Sequence, residues 1–109
     1  MQISSDRHGS VQIIRLGMSR IDATSAIAFK TRMKTEIDPD AARILLDDGQ
    51  VTFIDSSGLG ALVWVFKQTR DDQDFALSGV NPLVDKVLKL TQIDQFFTFF
   101  DRPEDGLSP

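Results

Sequence analysis

The hydrophobic pattern of the chain changes abruptly at one point, between residues 54 and 56. Before that point, residues 44–46 and 51–54 are mostly apolar and indicate buried extended segments. After it, apolar residues return at the three- and four-residue spacing of a helix that buries one stripe: Leu59, Leu62, Val63 and Phe66. The pattern predicts a buried strand that passes directly into a helix, and units of this kind build α/β domains.

Polar residues and glycines fill this junction, in the order Asp55-Ser56-Ser57-Gly58-Leu59-Gly60. One interpretation is that a serine caps the helix, because the first N–H groups of a helix lack intrahelical partners and serine is a preferred N-cap residue. The other is a phosphorylatable hydroxyl beside glycines that let another protein come close. A phosphate would add about −1.5 to −2 charges, and the helix N-terminus would stabilise it.

The rest of the chain alternates between strand-like and helix-like segments. Strands are predicted over residues 2–5, 11–16, 43–47, 75–78 and 96–100, and helices over 26–37, 59–70 and 82–91. The first two strands form a hairpin around His8-Gly9-Ser10. We therefore predict an α/β fold, a single domain with a small mixed sheet of four to five strands and packed helices. The domain spans residues 1–102, and 103–109 form a short C-terminal tail with at most one helical turn.

Size and composition limit the possible functions. A length of 109 residues and a hydrophobic content of 41% suit one compact core. No run approaches the ~20 apolar residues of a membrane-spanning helix, and the N-terminus lacks a signal-peptide pattern. We therefore expect a cytoplasmic protein without membrane insertion. The absence of cysteine excludes disulfides and thiolate metal sites, and we expect no cofactor. A net charge of −4 with dispersed basic residues argues against a nucleic-acid partner.

The segment from Val51 to Gly60 closely resembles the central signature of STAS domains, in particular the bacterial anti-sigma-factor antagonists with a phosphorylatable serine. Three further segments carry the resemblance at the expected distances: 20–26 (RIDATSA), 44–47 (ILLD) and 77–82 (LSGVNP). Together these segments extend the resemblance over residues 2–100. One departure from the family pattern is Asp48-Gly49-Gln50, which is more polar than usual.

The resemblance implies a protein switch and not an enzyme. In such antagonists the unmodified form binds an anti-sigma factor that is also a serine kinase of the histidine-kinase-like ATPase superfamily, and so frees a sigma factor. Phosphorylation ends the binding, and a metal-dependent serine phosphatase restores the active form. The phosphorylated residue of the family is the serine directly after the aspartate, which is Ser56 here. The neighbouring Ser57 is the less favoured position.

The resemblance also implies roles for the residues around the serine. Asp55 would shape the loop that presents Ser56, and Asp22 would lie beside the phosphorylation site and contact the partner. A carboxylate there would bind a basic group of the kinase before phosphate transfer and repel the phosphate afterwards. Capping is the structural alternative for both aspartates, and packing is the alternative for the glycines. The predicted partner-binding residues are Asp22, Asp55, Ser57, Gly58, Leu59, Gly60 and Trp64.

Other functions find less support in the sequence. The only histidine, His8, lies in a predicted turn, and no Gly-x-Ser-x-Gly segment surrounds the serine. The glycines match neither a dinucleotide-binding nor a Walker loop, although a helix N-terminus could bind a small nucleotide. The main alternative is a binding module of the same fold. Such a module would be a non-switching STAS subunit that supports an ATPase of lipid transport or joins a signalling scaffold.

Overall fold

The N-terminal hairpin predicted from the sequence is present in the computed structural model, which describes residues 2–108. β1 (Ile3–His8) and β2 (Val11–Leu16) are antiparallel, and their pairing continues up to the turn at Gly9-Ser10. Gly9 has φ +62°, a left-handed conformation that glycine adopts readily and that two-residue hairpin turns need. Because the strands pair right up to this turn, β1 is longer than the strand predicted over residues 2–5.

Strands and helices alternate along the rest of the described chain. They are β3 (Arg20–Ile21), α1 (Ala26–Glu36), β4 (Arg43–Asp47), β5 (Phe53–Ile54), α2 (Ser56–Phe66), β6 (Asp74–Ser78), α3 (Pro82–Leu90), a 3₁₀ turn (Ile93–Phe96), β7 (Thr98–Phe100) and a second 3₁₀ turn (Pro103–Gly106). The main sheet has the order β1-β2-β4-β6-β7, and every neighbouring pair after the hairpin is parallel. The predicted α/β fold with a mixed sheet and packed helices is confirmed.

The three helices cover one face of this sheet. The buried residues of that face include Ile14, Ile44, Leu46, Phe75 and Leu77 from the strands and Phe29, Met33, Leu62, Val65 and Leu88 from the helices. Successive side chains of a strand point to opposite faces, so the intervening residues meet on the other side. There Val11, Ile13, Leu45 and Ala76 form a second, smaller cluster.

The C-terminal residues cover this second face. Phe100 and Leu107 pack against the smaller cluster. The guanidinium of Arg43 donates hydrogen bonds to the carbonyl oxygens of Gly106 and Ser108, both at 2.7 Å. Of the segment predicted as a C-terminal tail over residues 103–109, residues 103–108 therefore contain one 3₁₀ turn and pack onto the domain, and residue 109 lies outside the described residues. The packed residues cover apolar side chains that the sheet would otherwise expose to water.

The structure corrects three predicted details of the elements. α2 ends at Phe66 and not near residue 70, because the backbone N–H groups of Gln68 and Thr69 donate to Val65 O and Phe66 O, three residues back, in the tighter turns typical of a helix end. Phe96 lies in a 3₁₀ turn and not in the last strand, and its ring stacks on Phe66 with centroids 5.2 Å apart. Phe53, predicted to be buried, is 39% exposed. The reason is that β5 pairs with β3 in a separate two-stranded sheet.

A buried carboxyl group lies directly after β4. Asp48 is 7% exposed, and its Oδ2 has no hydrogen-bond partner within residues 2–108. Burial, with a smaller contribution from the neighbouring Asp47 carboxylate, raises the pKa of Asp48 well above 3.8. The neutral group is therefore favoured in the folded state. The stability that it contributes is fully present below the unfolded pKa of 3.8 and is lost as the pH rises above it.

We expect Asp48→Asn to remove this pH dependence. The amide cannot ionise, so the free energy of unfolding of the variant should exceed that of the wild type by an amount that grows as the pH rises from about 4 to about 7. Urea unfolding of both proteins across this range measures the difference. A difference that stays constant with pH would contradict a raised pKa for Asp48.

Candidate functional site

The side chain that caps α2 belongs to Asp55 and to neither serine. The Asp55 backbone is extended, and its Oδ1 accepts a hydrogen bond from the backbone N–H of Gly58 at 2.8 Å. This bond satisfies one of the N–H groups that a helix N-terminus leaves without intrahelical partners. The interpretation of the serine pair as a helix cap is therefore wrong, and both hydroxyls are left without that structural task.

Ser56 and Ser57 are the first two residues of α2, and both are exposed. Within residues 2–108, neither hydroxyl makes a hydrogen bond, and the backbone N–H groups of both residues also lack a protein partner. A hydroxyl without internal bonds is accessible to a reagent or an enzyme. Free N–H groups at the positive end of the helix dipole favour an anion at this position.

The second carboxylate oxygen of Asp55 joins α2 to the loop that precedes α1. Asp55 Oδ2 accepts a hydrogen bond from Ala23 N at 3.1 Å, and Asp55 N donates to Ile21 O at 3.4 Å. The parallel pairing of β3 with β5 brings the two segments side by side. One carboxylate thus holds the start of the serine-bearing helix against residues 21–23.

Asp22 lies in the same loop, where it closes a tight turn. Its Oδ1 accepts hydrogen bonds from the Thr24 hydroxyl at 2.7 Å and from Thr24 N at 3.1 Å, and its Oδ2 accepts from Arg20 Nε at 3.1 Å. α1 begins at Ala26 with Ser25 at the N-cap position, so Asp22 is not the N-cap that was its structural alternative. The Thr24 hydroxyl and then the Arg20 guanidinium lower the pKa of Asp22 to about 2. The site therefore holds a carboxylate at neutral pH.

The Asp22 turn should lose its stabilising contribution only in strong acid. Because the folded pKa lies below the unfolded value of 3.8, the ionised group contributes stability above that pH, and the contribution is lost as the pH falls through about 2. An NMR titration of the Asp22 carboxyl carbon should have its midpoint near 2, and Thr24→Val should move the midpoint upward. A wild-type midpoint at 3.8 would contradict the hydrogen-bonded turn.

The two glycines of the junction differ in their surroundings. A Cβ on Gly58 would lie 2.0 Å from the Ile21 carbonyl oxygen, so only glycine lets the α2 backbone approach β3 this closely. A Cβ on Gly60 would meet no heavy atom within 4 Å, and Gly60 is exposed. Packing therefore accounts for Gly58 but not for Gly60. The bare backbone at Gly60 leaves room for a close approach from outside.

A family model described as the STAS domain matches residues 2–106 of the chain. The chain belongs to the STAS domain family. This result confirms the resemblance that the junction motif carries, and the match includes the packed turn at Pro103–Gly106.

Several solved structures share the fold of this STAS domain. An anti-sigma-factor antagonist from Mycobacterium paratuberculosis is 20% identical over 98% of this chain and 91% of that chain, with a TM-score of 0.84. An anti-sigma-factor antagonist (STAS) domain protein from Planctomyces limnophilus is 24% identical over 96% of this chain and 93% of that chain, with a TM-score of 0.84. The Bacillus cell fate determinant SpoIIAA in its phosphorylated form is 17% identical over 95% of this chain and 96% of that chain, with a TM-score of 0.66. At these identities the likeness establishes the fold.

Two of the predicted partner-binding residues of this STAS domain do not belong to the exposed surface around the serines, Leu59 because it is buried and Trp64 because it is distant. Leu59 is 8% exposed and packs in the core, which accounts for an apolar residue there without any partner. Trp64 lies about 12 Å along α2 from Ser56, half-buried against the core, with the Lys30 Nζ 5.5 Å from its ring centroid. The loop of Asp22 and the N-terminal turn of α2 form one compact site, and Trp64 lies at some distance from it along the same helix.

Two exposed apolar residues of the STAS domain were not predicted as candidates. Ile27, in the first turn of α1, is 75% exposed, and Phe53 lies under the Arg20 guanidinium, whose Cζ is 4.0 Å from the ring centroid. Ile27 falls outside the buried stripe of Ala26, Phe29 and Met33, which is the one signal that the sequence offers for it. Phe53 carries no such signal, because it stands in a run that reads as a buried strand.

Catalytic and metal-binding groups are not gathered around the serines. Among residues 2–108, no three His, Cys, Asp or Glu side chains are close enough together to hold a metal ion. His8 lies at the end of β1, with its Nε2 2.5 Å from Asp6 Oδ2. In this part of the chain, no helix has the length and apolar content needed to cross a membrane.

Proposed function

We propose that this STAS domain is an anti-sigma-factor antagonist that acts as a phosphorylation-controlled binding switch, without catalytic activity of its own. The unphosphorylated form binds an anti-sigma factor that is also a serine kinase of the histidine-kinase-like ATPase superfamily. Phosphorylation of Ser56 ends this binding, and a metal-dependent serine phosphatase restores it, all in the cytoplasm. The observation that carries the proposal is the exposed hydroxyl of Ser56 at the start of a helix that another residue caps.

The surroundings of Ser56 suit the addition of a phosphate without unfolding of the domain. The free N–H groups at the start of α2 and the helix dipole would stabilise the new charge, typically by about 0.3–1 kcal/mol for an exposed group. Asp55 already binds Gly58 N and Ala23 N, so the cap does not depend on the serine hydroxyl. Phosphorylation on this account changes the surface of the domain while its fold persists.

The same surroundings suit a switch that turns binding off. The unmodified site holds neutral hydroxyls near two carboxylates that are already bonded within the domain, Asp22 to Thr24 and Arg20, and Asp55 to Gly58 N and Ala23 N. A phosphate adds about −1.5 to −2 charges next to these carboxylates. It also occupies the space through which a partner would approach Gly60. Both the added negative charge and the added volume disfavour a surface that was complementary to the unmodified serine.

Family membership and the likeness to solved anti-sigma-factor antagonists support the proposal, and one of the similar structures was determined in a phosphorylated form. Ser56 is preferred over Ser57 because it directly follows the aspartate, which is the phosphorylated position in the antagonists that the motif resembles. The exposure of the two hydroxyls does not distinguish them.

A reconstituted phosphorylation assay tests the proposal. The purified chain is incubated with Mg-ATP and a candidate anti-sigma-factor kinase from the same organism, alongside Ser56→Ala and Ser57→Ala as a matched pair. We expect the wild type and Ser57→Ala each to gain one phosphate and Ser56→Ala to gain none. Phosphate on Ser56→Ala, or on none of the three proteins with any such kinase, would contradict the proposal.

A further inference from the structure

An apolar groove of about 360 Å³ runs between β5 and α3. Phe53 forms one wall, and Leu83, Val87 and Leu90 form the other. We refer to these four residues together with Lys86, which also lines the groove, as the α3 groove. Leu83, Val87 and Leu90 are spaced by four and three residues, so they lie in one row along the helix.

The exposure of Leu83 and Leu90 is not required by the fold of the domain. α3 already buries Val84 and Leu88 in the core and packs the half-buried Val87 against it, so Leu83 and Leu90 extend the apolar surface of the helix beyond the part that packs on the domain. Leu83 is 69% exposed and Leu90 is 74% exposed, values that only Ile27 matches among the large apolar residues described. Apolar side chains left in water along one helix row are typical of a surface that another helix covers.

The charge of the α3 groove favours an acidic occupant. The chain has 16 acidic and 12 basic residues, yet no carboxylate lines this groove. Lys86 lines it, and within residues 2–108 no carboxylate is within ion-pair distance of the Lys86 ammonium. The Arg20 guanidinium lies over the Phe53 ring at the rim, but it is already paired with Asp22, so Lys86 is the cation that the groove offers. A segment with carboxylates beside its apolar side chains would therefore be electrostatically complementary.

The α3 groove adjoins the candidate functional site through the backbone. β5 ends at Ile54, and the next residue is Asp55, whose carboxylate caps the helix that carries Ser56. Arg20 belongs to both surfaces, because its guanidinium contacts Phe53 and also pairs with Asp22. A partner bound over Ser56 could reach the α3 groove without crossing another element of the domain.

We propose that the α3 groove docks an amphipathic helix of the kinase that phosphorylates Ser56, which makes this proposal dependent on the proposed function. The docked helix presents apolar side chains every three or four residues to Leu83, Val87 and Leu90. A flanking carboxylate of that helix faces Lys86. Docking at this second surface gives the switch affinity and specificity for its own kinase, in addition to the contacts around the serine.

Binding of the purified kinase to matched variants tests the docking proposal. The double variant Leu83→Ser/Leu90→Ser should bind the kinase at least about tenfold more weakly, a loss typical of central apolar contacts, with its thermal unfolding unchanged. Lys86→Glu should also weaken binding, and more so at low salt. Its control, Lys34→Glu, reverses an exposed charge in the last turn of α1 and should bind like the wild type.

Photo-crosslinking identifies what occupies the groove. With p-benzoylphenylalanine in place of Leu90, we expect a crosslink to a kinase segment that has spaced apolar residues and carboxylates. A crosslink to a second copy of this chain, or unchanged kinase binding by the double serine variant, would overturn the docking proposal alone. A wild-type chain that binds no such kinase would overturn the proposed function and, with it, the assignment of the groove to this partner.

Discussion

Replacing Ser56 with aspartate should weaken binding to the kinase partner by about 100-fold, whereas Ser56→Ala should bind like the wild type. The aspartate places a permanent charge directly after Asp55, whose carboxylate also holds the loop of Asp22, at a position where the proposed partner surface is complementary to a neutral hydroxyl. Uncompensated like charges at an interface cost several kcal/mol, and about 2.7 kcal/mol corresponds to a 100-fold change in Kd. Isothermal titration calorimetry with the purified kinase in the absence of ATP measures all three affinities.

The controls separate charge at the site from charge elsewhere and from unfolding. Ser4→Asp adds the same charge at an exposed position of β1, in an element that contains no part of the site, and should bind like the wild type. Aspartate at the first position of α2 is favourable to the helix dipole, so Ser56→Asp should unfold at the wild-type temperature or slightly above it. Equal kinase binding by Ser56→Asp and Ser56→Ala would reject phosphorylation of Ser56 as the switch.

Gly58→Ala should be the most destabilising single methyl addition in the junction. Its Cβ would lie 2.0 Å from the Ile21 carbonyl oxygen and 2.7 Å from the Ile21 carbonyl carbon. These atoms belong to the backbone of β3, which cannot turn aside as a flexible side chain can. Overpacking of this kind costs typically about 1–3 kcal/mol and sometimes more, and contact with backbone puts Gly58→Ala at about 3 kcal/mol or above. Urea unfolding measures the loss.

Gly60→Ala is the matched control for that substitution. It lies two residues further along the same helix, and its Cβ would meet no atom within 4 Å. Alanine in a helix interior is favoured over glycine by about 0.5–1 kcal/mol, so this variant should be slightly more stable than the wild type. A similar loss of stability in both variants would show that the close approach of α2 to β3 is not the reason for glycine at position 58.

The order of strands and helices could be predicted because each core element has a hydrophobic pattern that is visible in its own residues. Ile44 to Leu46 form a continuous apolar strand, and Val84 and Leu88 mark one face of α3. The sequence did not predict structural details that depend on contacts between residues far apart in the chain. The ring of Phe96 is held by stacking on Phe66 of another helix, and a run of phenylalanines alone indicates a strand. The packing of the C-terminal turn likewise depends on Arg43, far away in the sequence.

The residues of the candidate site could be predicted from the motif, but the contacts between them in space could not. The junction motif and the segment around Asp22 identified the residues, while their contact depends on the pairing of β3 with β5. Each of these strands has two residues, too few to show any period in the sequence. For the same reason, the link from Asp55 to Ala23 and the exposure of Phe53 in the α3 groove could be recognised only in the structure.

Phosphopeptide mass spectrometry of the protein isolated from its native cells tests the central claim most directly. The fragmentation must resolve Ser56 from Ser57, and the samples should span growth and stress conditions. The switch proposed here predicts phosphate on Ser56 in a fraction of the molecules that varies with the condition. A protein that stays unmodified under all of them would contradict the switch, and would favour a constitutive STAS subunit that supports a transport ATPase or a signalling scaffold.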